Sequence, residues 1–249
     1  MDYTTGLTDD EFDELLVRLR EEGVEGYPPI LGLSGSLRAT LIHLRHNIVQ
    51  AAIGELLGVS QPTISRAVKV LTEAFPRVLE GLLLTQPRMC PRAATFVWTA
   101  LSSPAGVGAI TANCGRGERG TTGMSARILV LPGGRPVRAS DPYPGSVHDV
   151  AALDSSGLLE GIDPSGWIAD KGYIGRGMIT PHKKPPNGEL SEAAKEANKS
   201  INKIRQVVER TIAHIKSWRI LHTDYRRPLH TFEQTITAAL SLHVFKTTL

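Results

Sequence analysis

Cysteine is almost missing from this chain: Cys90 and Cys114 are the only two in 249 residues. Two thiols without metal-ligand spacing exclude a disulfide framework and a zinc-cysteine site, and they imply a reducing compartment. Long apolar runs are missing as well. Nothing approaches the ~20 residues that a membrane helix needs, and the opening Met1-Asp2-Tyr3 lacks a signal-peptide layout. The expectation is a cytoplasmic protein with no membrane partner. Neither sign of charge dominates: the formal net charge is +3. That permits a nucleic-acid partner without requiring one, because local clustering of cations matters more than the total. There is no internal repeat and no low-complexity tail. One further absence is local. From 84 to 124 there is no aspartate, and Glu118 is the only acid.

What is present begins with a helix signal. Thr8-Asp9-Asp10-Glu11 is a capping box, in which the Thr8 hydroxyl accepts from a free backbone N–H and Glu11 reaches back. Phe12, Leu15, Leu16 and Leu19 follow at helical spacing, and Gly23 is a stop. Residues 24–36, rich in Gly, Pro and Ser, read as a connection. A helical pattern resumes over about 37–83, broken at Gly58. Residues 90–120 carry neither a helical nor a strand period, which is unusual inside a compact domain. Order returns with 128–131, a Pro132-Gly133-Gly134 turn and 137–140, together a β-hairpin. Trp167, Ile168 and Ala169 form a short apolar strand that ends on Asp170. A polar loop then leads into a helix with the stripe Ile201, Ile204, Val208, Ile212 and Ile215, and a last apolar helix runs over about 231–245.

Residues 50–74 read as helix, tight turn, helix. Ala51, Ile53, Leu56 and Leu57 give the first helix a core side. Gly58 tolerates a left-handed backbone, Val59 plugs the angle, Ser60 caps the second helix, and Pro62 sits where its missing N–H costs little. Ile64, Ala67, Val68 and Leu71 face inward, which leaves Gln61, Thr63, Ser65 and Arg66 outward near the helix start. Gln pairs with adenine and Arg with guanine or phosphate, so these four are the candidate DNA-reading residues. The plainer alternative is a helical hairpin with a solvated polar side.

Two acids stand out. Asp170 closes a strand. Glu209 lies on a helix about 40° around from Arg205 and about 20° from Lys216, so the three share one stripe. A carboxylate flanked by two cations stays ionised at neutral pH. The same stripe is also what an ordinary helical ion-pair network looks like.

The joint layout resembles a DDE-superfamily transposase of the insertion-sequence-five and Harbinger-like type. The matching stretches are Arg45-His46-Asn47 through Thr63-Ile64-Ser65-Arg66, Pro144-Gly145-Ser146-Val147-His148-Asp149, Ala169-Asp170-Lys171-Gly172-Tyr173, and Arg205 through Trp218-Arg219-Ile220-Leu221. The likeness covers nearly the whole chain except about 90–120. It implies an α/β (α+β) fold: an RNase H-like mixed sheet with flanking helices over 84–249, preceded by a small all-α helix-turn-helix domain over 1–83 with its motif at about 49–74. It implies that two Asp and one Glu hold Mg²⁺ or Mn²⁺ for in-line phosphoryl transfer. By that pattern Asp170 is the second Asp and Glu209 the Glu, both metal ligands, while Arg205 and Lys216 grip the DNA backbone. Asn202 departs from the family's tyrosine. His148-Asp149 matches a family signature, with Asp149 a lower-ranked catalytic candidate and a helix N-cap its plainer role. Implied partners are double-stranded DNA (transposon inverted-repeat ends and target) and a second copy of the chain on that DNA, in the nucleoid. The rival is a helix-turn-helix DNA-binding protein without catalysis.

The family's first Asp belongs on the sheet's first strand, upstream of the hairpin, where this chain has no Asp. The codons for Trp98 and Thr99 necessarily contain GAC, the Asp codon, in a neighbouring frame. The expectation is therefore a compensated double frameshift over roughly 92–119. It would replace a central strand with Gly/Ala/Ser/Thr-rich text of poor strand propensity and remove one metal ligand, leaving this copy with little or no activity.

Overall fold

The computed structural model describes residues 2–80, 96–104, 123–144, 147–155, 163–185 and 188–248. Cys90 and Cys114 lie outside them. The protein is α+β and divides into two compact units. The first joins both ends of the chain, 1–83 with 215–249, and the second holds most of what lies between. No helix among the described residues is long and apolar enough to cross a membrane.

The first unit is helical. It contains α1 (Asp2–Thr5), α2 (Asp9–Glu21), α3 (Gly32–His46), α4 (Gln50–Leu57), α5 (Gln61–Val78) and α8 (Phe232–Thr248). The capping box at α2 forms as expected: Thr8 Oγ1 accepts from Glu11 N–H at 3.2 Å, and Glu11 accepts from Thr8 N–H at 2.7 Å. Helix α3 starts at Gly32, inside the stretch expected to be a connection, and ends at Asn47 with φ +52. Around that left-handed residue the C-terminal segment is tied down. Asn47 Nδ2 donates to Thr223 Oγ1 at 2.7 Å and to the Asp224 carbonyl at 2.8 Å, and Arg226 donates to the Asn47 carbonyl at 3.2 Å. Arg45 bonds Ser217 Oγ and lies over the Trp218 ring. Helix α8 is buried on almost every side, with Phe232, Ile236, Leu240, Val244 and Phe245 all inside, and packs against α5. Each such side chain contributes about 1.5–3 kcal/mol through burial.

The second unit carries a five-stranded sheet: β1 (Phe96–Pro104), β2 (Gly123–Val130), β3 (Pro136–Ala139), β4 (Tyr143–Pro144) and β5 (Trp167–Ile168). The main order is β3-β2-β1-β5, with β4 pairing β2. The expected hairpin is β2–β3. The expectation of a failed central strand is overturned. Residues 96–104 form β1, antiparallel to β2 from Val97↔Val130 to Pro104↔Gly123 and parallel to β5. Phe96, Val97, Trp98 and Thr99 favour extended backbone, and ladders on both sides satisfy it. Helices α6 (Asp149–Ser155) and α7 (Glu192–Ile215) complete the unit. Leu129, Val137, Leu153, Trp167, Ala169 and Tyr173 form its core. Gly134, at φ +94, lies against α7: a Cβ there would meet Thr211 Oγ1 at 2.8 Å. The hairpin turn thus seats the helix that carries Glu209.

Candidate active site and nucleic-acid interface

Asp170 follows directly on β5. Its backbone neighbours are fixed, since Ala169 N–H donates to the Ile179 carbonyl at 3.0 Å and Ile179 N–H to the Trp167 carbonyl at 2.7 Å. The Asp170 carboxylate accepts from Lys171 N–H at 2.6 Å and so caps the short turn Lys171–Tyr173. Its other contact is Arg205, whose Nη1 lies 3.4 Å from Oδ1. The same guanidinium places Nη2 4.0 Å from Glu209 Oε1, one turn along α7. Both acids keep about 60% of their side-chain surface exposed, whereas Arg205 keeps 27%. One half-buried cation therefore sits between two open carboxylates from distant parts of the sequence.

This brings together Asp170, Glu209 and Arg205. Helix α7 stops at Ile215, where Trp218 N–H turns back to the Ile215 carbonyl at 3.0 Å. Lys216 directly follows the last residue of α7. Asp149 is the first residue of α6, and its side chain lies outside the described residues. His148 holds the N-cap position, its Nδ1 accepting from Val150 N–H at 3.4 Å. Among the described residues no group of three metal-ligating side chains occurs. The donors present, two carboxylates converging on one positive charge, suit a hard divalent cation that takes oxygen ligands.

In the first unit, α4 and α5 meet at a turn whose centre is Gly58, at φ +66. Gly54 is required by closeness: a Cβ there would meet the Val59 carbonyl at 2.6 Å. Val59 packs on the cluster of Ala39, Ile42, Ile53, Ile64 and Val68, and Ile64, Ala67, Val68 and Leu71 are fully buried as expected. Three details differ from expectation. Ala51 and Leu56 are exposed, Leu56 at 74%, because α4 has only eight residues and turns a single narrow face inward. Ser60 occupies the N-cap position, yet its hydroxyl pairs with Thr63 Oγ1 at 2.9 Å and caps no N–H. Gln61, Ser65 and Arg66 are exposed, whereas Thr63 is half-buried. Gln61 Nε2 donates to Gln50 Oε1 at 3.0 Å, linking the starts of the two helices.

Sequence reasoning missed His43. Its ring is buried, Nδ1 donates to the Ile48 carbonyl at 2.9 Å, and Nε2 has no partner among the described residues. Burial lowers its pKa from 6.5 to about 4, with Arg227 and Arg226 adding to the fall. A histidine inside an apolar helical stripe gives no signal of this in the sequence.

Comparison with known proteins gives four findings. A family described as DDE superfamily endonuclease matches residues 112–243, more than half of the chain. A protein of Streptomyces albus G, named as transposase for insertion sequence element IS112, is 28% identical over 87% of this chain and 83% of its own length. A protein of Microchaete diplosiphon, named as transposase for insertion sequence element IS702, is 37% identical over 33% of this chain and 31% of its own. Among solved structures, a pre-cleavage Mos1 transpososome matches at 12% identity and a TM-score of 0.20, covering 76% of this chain and 80% of that one, too loosely to define the fold.

Proposed function

Because this chain belongs to the DDE superfamily of endonucleases, we propose that it is a transposase that binds transposon-end DNA through 50–74 and carries the remains of a Mg²⁺-dependent cleavage site at Asp170 and Glu209. The observation that carries this reading is the single Arg205 guanidinium shared by the two acids. It means that a strand-end carboxylate and a helix carboxylate, far apart in sequence, serve one place. Asp170 and Glu209 would hold the ion. Such an ion polarises a phosphoryl oxygen and stabilises the leaving oxygen of an in-line displacement. Arg205 neutralises the acid pair and positions a DNA phosphate beside it. The sheet and flanking helices of the second unit are read as RNase H-like, and a second copy of the chain is proposed to join it on the DNA.

The reading includes a damaged first ligand. Strand β1 runs parallel to β5 with Val97 opposite Ile168, so two residues further on Thr99 stands level with Asp170. In this reading it is the level at which the family's first Asp is expected. The GAC hidden across Trp98 and Thr99 supports a frameshift over roughly 92–119, and the family match, which begins at 112, leaves position 99 outside the matched stretch. Close relatives carrying the same 92–119 text intact in their genes would overturn it.

The test is a nicking assay on transposon-end duplex with Mg²⁺ or Mn²⁺. The expectation is end-specific binding with cleavage at or near background. Any residual cleavage should disappear in Asp170→Ala and Glu209→Ala. Robust cleavage that survives both substitutions would remove these residues from the site. A second reading, a DNA-binding protein without catalysis, is favoured by the lack of a third acid among the described residues. It predicts binding with no cleavage at any metal concentration, even after an Asp is restored at position 99.

A further inference from the structure

Alongside α5 in the first unit lies an open groove of about 970 Å³. One wall is the stripe Gln61, Ser65 and Lys69 of α5, spaced one turn apart and so extending about 12 Å along the helix. The opposite wall comes from the far end of the chain and carries Arg226, Arg227 and His230. The two walls meet at one end. Gln61 is bonded to Gln50, Arg226 to the Asn47 carbonyl, and Asn47 opens the three-residue connection between α3 and α4 that Gln50 follows.

The walls differ in chemistry. The α5 wall begins with an amide and a hydroxyl, groups that read base edges, and the other wall carries guanidinium groups, which fit phosphate oxygens in a fork. Both arginines are anchored through one terminal nitrogen, Arg226 on Asn47 and Arg227 on Thr235 Oγ1 at 3.0 Å. A guanidinium has five N–H donors, so each keeps donors for a ligand. The buried His43 ring lines the groove with Nε2 unpartnered among the described residues. Two acids also line it. Glu73 lies about 18 Å along α5 from Gln61, which places it beyond Lys69. Glu233 starts α8 on the other wall. They oppose a phosphate at their own positions and leave Lys69, Arg226 and Arg227 as the cations that attract it.

We infer that segment 226–230 is the phosphate-holding half of a duplex-DNA interface whose base-reading half is α5, with one sugar–phosphate strand lying in the groove between them. Contacts to the backbone set register and contacts to base edges set sequence, and here the two tasks fall to opposite ends of one polypeptide. The inference rests on the reading of 50–74 as a DNA reader.

The test uses the full chain and a fluorescein-labelled duplex of mixed sequence, with binding followed by anisotropy as salt is raised. Each phosphate contact adds about 0.9 to the slope of log K against log salt. Arg227→Gln and Lys69→Gln should each flatten the slope by about that amount, and together by about twice as much. Arg227→Lys, which retains the charge, should keep the parent slope. Arg20→Gln, an exposed cation on α2 away from the groove, should leave it unchanged. If the parent binds and Arg66→Gln flattens the slope while Arg227→Gln and Lys69→Gln do not, the DNA reader stands and the groove is not part of it. Loss of slope in Arg227→Lys as well would make Arg227 a structural residue and overturn the inference. A parent chain that binds no duplex at any salt removes both readings.

Discussion

If Asp170 and Glu209 hold a divalent ion as proposed, Arg205 lies between them and is a competitor as well as a partner. A cation within 4 Å of both carboxylates must swing aside when a second positive charge enters. Replacing it by glutamine should therefore tighten Mn²⁺ binding by roughly fivefold, about 1 kcal/mol for an exposed charge interaction. Calorimetric titration of the two proteins checks this, with Asp170→Asn as the variant that should not bind. Unchanged or weaker affinity in Arg205→Gln would mean that the arginine organises the acids more than it opposes the ion. His43 gives a different residue-scale outcome. Its pKa is about 4 in the folded protein against 6.5 for a free ring. The unfolded chain therefore takes up a proton first as pH falls, and stability contributed by the neutral buried ring is lost between about pH 6.5 and pH 4, on the order of 3 kcal/mol. Urea midpoints at about pH 7 and about pH 4.5 should separate widely for the parent and much less for His43→Gln. His222, also lowered by burial, is common to both proteins and cancels.

At the scale of elements, the register of the parallel pair β1–β5 sets where the proposed third carboxylate would stand. Thr99→Asp sets an acid level with Asp170. The expected result is tighter divalent-ion binding by at least tenfold, and metal-dependent nicking above the parent's, both measured on the same preparation. No gain in either would detach position 99 from the site. The elements differ in how far the sequence disclosed them, and the difference follows the range of the interactions that make them. The capping box at Thr8 and Glu11, the left-handed Gly58 and the 128–140 hairpin are held by contacts within a few residues, and each was legible. Strand β1 was not, because its short apolar start is stabilised by ladders to residues 31 and more positions away. Leu56 was misplaced since periodicity cannot report how narrow a face an eight-residue helix buries. Of the candidate site, Asp170, Glu209 and Arg205 were legible as a set, yet their meeting through one guanidinium was not.

At the scale of the whole molecule, the first unit is made from residues at both ends of the chain. The Arg45-His46-Asn47 stretch, quoted above only as a family likeness, anchors Ser217, Thr223, Asp224 and Arg226, and α8 supplies much of the core. Residues 1–83 expressed alone should lose these partners and melt without a cooperative transition. The same residues joined through a short linker to 215–249 should regain one, as followed by circular dichroism on heating. A sharp transition in the 1–83 fragment would show that α8 is dispensable to the fold.

A unit closed by its last helix also has a schedule. At about 5–20 residues per second, the 166 residues after position 83 take the ribosome roughly 10–30 s to add, and until then α5 has no α8 to lie against. In the proposed reading, nascent chains and products of early stop codons that lack α8 would thus carry an unfinished DNA reader.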